Sequence, residues 1–252
     1  YGVALGIENF DGVLKSTITR FFDYTISKTS NALFPNCDLI SFSLFARVIG
    51  KIFYFNNISI YSSGIHTNHG MYSTLYSFPA IMKRNAMKGS VIPIYSGFPT
   101  VLKEYGYHNM FFMTHESQYD NMNAFFRTNG FDEIYAQEDY PREKIANHFG
   151  IQDDYLYEYA IPVLRERYAE GNPFMAVLLS ISNHPPYIIP DYFTPKSEKM
   201  EDAIVEYADW SIRKFFDAAK EEPWFDNTIF VLLGDHGKLV GTPECEMPQS
   251  YN

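Results

Sequence analysis

The sequence predicts one α/β domain over residues 1–252, a doubly wound and mostly parallel sheet flanked by helices. Three observations point there. Short continuous apolar runs recur along the chain, each ends in a polar cluster, and helix-patterned stretches lie between them. Such runs suit strands buried on both faces, because helices then cover both sides of the sheet. Strand alternating with helix is the signature of that architecture.

Residues 3–7 form the first apolar run, which ends at Glu8. A polar turn over residues 62–69 opens onto a helix predicted for 70–82, and a second helix is predicted for 95–105. The run 110–113 then leads into Thr114-His115-Glu116. Helices are expected at 121–128, 154–169 and 201–219; the last two carry apolar residues at three- and four-residue spacing, as surface helices do. The run 174–181 ends in Ser182-Asn183-His184, and 229–233 passes through Gly234 into Asp235-His236. In an open parallel sheet, ligands bind beyond the carboxyl ends of the strands. Glu8, His115, His184, Asp235 and His236 are all expected at those ends.

Composition narrows the function. A formal net charge of −10 argues against a nucleic-acid groove, which needs clustered Lys and Arg. No apolar stretch approaches the ~20 residues of a membrane span. The chain starts at Tyr1 without a signal peptide and reads as a processed or excised piece. Cys37 and Cys245 are too few for a disulfide framework and have no metal-ligand spacing; they read as one pair or as two separate thiols. Aromatic residues make up 17% of the chain, which suits either an aromatic-walled site or a large core.

Two segments carry chemistry. Thr67 lies near a predicted helix N-terminus, where free N–H groups and the dipole favour an anion; it is equally a candidate N-cap. Asp235 and His236, flanked by Gly234 and Gly237, offer one hard oxygen and one imidazole, a pair suited to Mn, Mg or Zn. In Asn183-His184-Pro185-Pro186-Tyr187 the prolines hold the imidazole in a rigid loop. Asp153-Asp154 and Glu201-Asp202 read as acidic helix starts. His66 and His69 read as neighbours of Thr67 rather than as ligands.

Six short segments in one order resemble the sulfatase-type branch of the alkaline phosphatase superfamily, and within it the lipoteichoic acid synthase-like phosphoglycerol transferases. They are Ser63-Gly64-Ile65-His66-Thr67-Asn68-His69-Gly70, Leu75-Tyr76-Ser77-Phe78-Pro79, Tyr105-Gly106-Tyr107, Asn129-Gly130-Phe131-Asp132, Asn183-His184-Pro185-Pro186-Tyr187 and Gly234-Asp235-His236-Gly237. The resemblance implies Thr67 as nucleophile and His184 as the histidine at the transferred phosphoryl group. It implies one divalent ion, manganese foremost, held by Glu8, Thr67, Asp235 and His236. His115 and Asn121 fall in the head-group region, although Asp120 and Met122 stand where the synthases carry Trp and Arg. No Pro and Arg follow Thr67 as they follow the modified residue of true sulfatases, so phosphate esters are expected over sulfate esters. A covalent phospho-threonine, then transfer to an alcohol or to water, is the implied reaction. Its substrate would be a glycerophospholipid head group or a glycan-linked phosphate, outside a bacterial cell membrane and tethered by segments this chain lacks. The resemblance also implies a catalytic domain continuing beyond Asn252. Its counter-readings are a sulfate- or phosphate-ester hydrolase and a catalytically inactive binding module.

Overall fold

The computed structural model describes residues 3–8, 44–48, 51–55, 64–79, 83–89 and 91–236. Among them, strands β1 (Val3–Glu8), β2 (Leu44–Val48), β3 (Lys51–Phe55), β4 (His108–Met113), β5 (Glu133–Tyr135), β8 (Phe174–Leu179) and β9 (Thr228–Leu233) form one sheet in the order β3-β2-β9-β1-β8-β4-β5. Strands β6 (Ile145–Asn147) and β7 (Gly150–Ile151) form a separate small hairpin. The helices are α1 (Thr67–Tyr76), α2 (Phe98–Glu104), α3 (Met122–Thr128), α4 (Asp153–Ala169) and α5 (Met200–Ala219). Among the described residues no helix is long and apolar enough to cross a membrane. Cys37, Cys245, Gly237 and residues 80–82 of the expected first helix lie outside the described residues.

The two faces of the sheet sort the apolar runs by parity. Phe111, Met113, Met175, Val177, Leu179, Ile229 and Val231 pack under α1, α2 and α3. Met110, Phe112, Phe174, Ala176, Leu178 and Phe230 pack under α4, α5 and Trp224. Side chains alternate across a strand, so an unbroken apolar run is what a strand covered on both sides requires. The aromatic excess serves this core: Tyr72 stacks on Phe78 at 4.5 Å and Phe111 on Phe126 at 4.3 Å between ring centroids.

The sheet is α/β and helix-covered on both faces as expected, with parallel pairing of β4 to β5 and of β4 to β8. Strands β1 and β2 differ: β1 runs antiparallel to both β8 and β9, and β2 to both β3 and β9. The N-terminal end of β1, Val3, pairs with Leu179 and Leu233, whereas Glu8 pairs with Thr228 at the opposite edge. Five residues of strand separate the two edges, about 17 Å. The expectation that Glu8 joins the other polar strand ends is thereby corrected. An apolar run marks a strand but carries no direction.

The segment Asn129-Gly130-Phe131-Asp132, together with Asn109, holds the fold rather than the chemistry. Asn109 is fully buried and its amide donates to Pro99 O at 2.7 Å and Gly130 O at 2.8 Å. Asn129 accepts from Tyr95 N at 2.7 Å and donates to Pro93 O at 3.1 Å, tying the chain before α2 to the end of α3. Asp132 accepts from Asn109 N at 2.9 Å and pairs with Lys103 at 2.6 Å.

Candidate active site

Leu179, Leu233 and Met113 end their strands at one edge of the sheet, and His115, Ser182-Asn183-His184 and Asp235-His236 leave from that edge. Helix α1 closes over it. Its N-cap is His66, in extended conformation, so Thr67 is the first helical residue and not the cap. Neither an acidic side chain in the first turn nor a side-chain cap satisfies its leading N–H groups. Those donors are the orphans of every helix start and suit an anion.

Gly70 joins α1 to the strand edge. A Cβ there would stand 2.3 Å from Asp235 O and 2.7 Å from Asp235 Cα. No side chain fits, so only glycine lets the first turn of α1 rest on the Asp235 backbone. Two residues 168 positions apart, Thr67 and Asp235, are thus brought to one place. Thr67 is 7% exposed and Asp235 1%.

The Asp235 carboxylate is the anomaly of the structure. Both its oxygens are buried, and neither has a hydrogen-bond partner among the described residues. Its nearest described cationic candidate is His236, whose Nε2 lies 3.8 Å from Oδ2, beyond hydrogen-bond reach. A buried, unpaired carboxylate is costly unless a cation sits against it. Asp235 and His236, with the Thr67 hydroxyl, therefore fit a divalent ion. Among the described residues no group of three His, Cys, Asp or Glu gathers in ligand geometry, and Glu8 is at the far edge.

Around this centre lie residues that spacing alone does not single out. Asn68 is 6% exposed; its amide donates to Asp120 at 2.8 Å, and Asp120 pairs with Lys88 at 2.6 Å. Asp120 and Asn121 both have left-handed backbones, φ 51° and 63°. Asp and Asn tolerate that region, which was the one sequence sign of the sharp loop. His69 is buried, and burial with the nearby His66 and His236 holds its imidazole below the ordinary histidine range.

His115 and Asn121, expected as substrate contacts, diverge. His115 is 2% exposed, its ring lies 4.2 Å from that of Tyr119, and its Nδ1 has no partner among the described residues. Burial pushes its pKa down to about 4, so near neutral pH it is an uncharged imidazole. Asn121 uses its amide on Met87 O at 2.6 Å, which holds the loop closed. His184 is half-buried; its Nδ1 lies 2.6 Å from Pro185 O and its ring 4.3 Å from that of Phe149. A carbonyl only accepts, so Nδ1 carries the hydrogen in this contact.

With this arrangement in place, comparison with known proteins decides the family. The sulfatase family model matches residues 37–251. The chain belongs to the sulfatase family. It is 25% identical over 147 residues to lipoteichoic acid synthase 2 of Bacillus subtilis, covering 55% of this chain and 22% of that protein. It is 26% identical over 157 residues to phosphoglycerol transferase I of Citrobacter koseri, covering 56% of this chain and 20% of the relative. The chain thus spans about a fifth of the length of these curated relatives. Among solved structures, an alkaline phosphatase superfamily protein of Vibrio parahaemolyticus superposes with a TM-score of 0.61 at 25% identity, over 69% of this chain and 50% of that one. The lipoteichoic acid synthase LtaP of Listeria monocytogenes shares the fold at 0.56 and 21% identity, over 72% and 56% of the two chains. The sulfatase-family chain is therefore an α/β member of the alkaline phosphatase superfamily.

Proposed function

We propose that this sulfatase-family chain carries a metal-dependent phosphoryl-transfer site with Thr67 as nucleophile. Its substrate class is a phosphoglycerol-type phosphate ester. The carrying observation that supports it is the Gly70 contact, which rests the turn of α1 that begins at Thr67 on the Asp235 backbone, together with an Asp235 carboxylate that has no hydrogen-bond partner among the described residues. The relatives' names supply the substrate class.

Asp235, His236 and Thr67 would hold the ion, Mn foremost with Mg and Zn as the other candidates. When bound, it supplies positive charge that lowers the hydroxyl pKa and polarises a phosphoryl oxygen. Thr67 Oγ1 attacks phosphorus, a new P–O bond to threonine forms, and the bond to the leaving alcohol breaks in line. The N–H groups opening α1 face the growing negative charge. His184 Nε2 donates the proton that the departing alkoxide takes up and recovers it from the incoming hydroxyl. That hydroxyl, of an alcohol or of water, then displaces threonine from phosphorus. His115 binds neutrally beside Tyr119. The net charge of −10 makes this local positive field necessary for an anionic substrate. The reading locates the whole protein outside a bacterial cell membrane, with membrane attachment through other segments.

Thr67→Ala should reduce turnover of a chromogenic phosphodiester by more than about a thousandfold, with Thr67→Ser recovering part of it. Undiminished turnover in Thr67→Ala would refute the nucleophile. The sulfatase family match supports a second reading, sulfate-ester hydrolysis. Matched sulfate and phosphate esters, assayed side by side, separate the two.

A further inference from the structure

We infer that the segment Gly150-Ile151-Gln152-Asp153 is the positioning element of the site, with Asp153 the residue that sets the His184 loop. The inference rests on the phosphoryl role proposed above for His184. Asp153 looks like a helix-capping acid, being the first residue of α4. Its partners are elsewhere. Oδ1 accepts from Ile181 N at 2.8 Å and Ser182 N at 3.0 Å, 28 and 29 residues away, at the strand end that leads to His184. The turn is completed by His184 N, which donates to Ile181 O at 2.8 Å.

Gln152 reinforces the same loop at two points. Its carbonyl accepts from Ser182 Oγ at 3.2 Å and its amide donates to Ile188 O at 3.3 Å, so it grips both sides of His184-Pro185-Pro186. Ser182 Oγ also accepts from Asp153 N at 3.4 Å. The polar groups lining the cleft under His184 are thus used on one another, which makes the cleft a rigid support.

The other half of the segment holds the neighbouring arm. Ile151 N donates to Thr114 O at 3.3 Å, and a Cβ on Gly150, whose φ is +97°, would stand 1.6 Å from that oxygen. Thr114 directly precedes His115. Four consecutive residues therefore fix both histidine arms on the same sheet edge. Asp153 is 1% exposed, and desolvation raises its pKa against the two N–H groups that lower it. What the loop requires of it is an acceptor oxygen.

The test uses the full chain, with Asp153→Asn and Asp153→Ala each made in the natural and the His184→Ala background. Asp153→Ala should lower kcat by about tenfold to a hundredfold with KM little changed, as a displaced catalytic group does. Asp153→Asn keeps the acceptor oxygen and should stay within about threefold of the natural protein. In the His184→Ala background, Asp153→Ala should cost less than about twofold, because the two act as one unit. An equal cost in both backgrounds overturns the inference. Amide exchange gives a readout independent of turnover: protection at Ile181, Ser182 and His184 should be lost in Asp153→Ala and kept in Asp153→Asn. Unchanged protection in Asp153→Ala overturns the clamp. If His184→Ala alone leaves turnover unchanged, the phosphoryl role of His184 fails, and exchange alone decides between a clamp and none. If Asp153→Ala does not fold, Gln152→Leu takes its place in the same cycle, with about a fivefold loss expected.

Discussion

Two carboxylates at one edge of the sheet, Asp153 and Asp235, are each 1% exposed, yet they live oppositely. Asp153 accepts two backbone N–H groups and closes a loop. Asp235 accepts nothing among the described residues, although a helix presses on its backbone. Burial is the same in both, so burial does not separate a building residue from a working one. Satisfaction does: the fold completes the first, and the second keeps acceptor capacity that no described residue takes up.

The contrast breaks most sharply on paired isosteric changes. Asp235→Asn should abolish metal-stimulated turnover by more than about a thousandfold. It should also stabilise the metal-free protein by about 1–3 kcal/mol, since an unpaired buried charge is removed. Turnover with added Mn and thermal unfolding in chelator check the two halves. Asp153→Asn should show neither response, and a matching response from the two carboxylates would dissolve the distinction.

Next in size is the pH response of His115, two residues past the end of β4. Its folded pKa of about 4 lies below the ordinary 6.5, so the unfolded chain takes up the proton first as pH falls. Stability is therefore full above pH 6.5 and is lost as pH drops towards 4, by about 3 kcal/mol at ~1.36 kcal/mol per unit. Urea denaturation across that window should slope upward with pH, and His115→Gln should flatten it.

Gly70→Ala places a methyl where Asp235 O stands 2.3 Å away. A cost of about 1–3 kcal/mol and loss of turnover are expected, because helix and strand end must part. Smallest is Glu8→Gln. With Glu8 at the opposite edge, Mn affinity measured by calorimetry should not change.

Much of the fold was readable as sequence. The apolar runs at 110–113 and 229–233 lie within β4 and β9, the helix expected at 201–219 lies within α5, and the polar strand ends mark the edge where the site forms. What stayed hidden shares one physical cause, partners distant in sequence. Nothing local tells Val3–Glu8 to run against its two neighbours, so Glu8 was expected at the same edge as the other polar strand ends. Asp153 looked like a cap because the amides it holds are 28 and 29 positions on. Asp120 shows no function until Asn68, 52 positions earlier, is set beside it. Thr67 and Asp235 were each visible in the sequence as candidates, but that the turn holding Thr67 rests on Asp235 depends on Gly70, a residue that carries no chemistry of its own.

The seat of β1 between β8 and β9 has a consequence for how the molecule is made. During synthesis β1 emerges before both of its neighbours, β8 and β9, which follow it by more than 160 residues. Until residues 174–179 and 228–235 have left the ribosome, β1 has neither β8 nor β9 to pair with, and Gly70 has no Asp235 backbone to rest against. Pairings of such long range are slow to close. The first turn of α1 therefore gains its support at Asp235 only after residues 228–235 have been made.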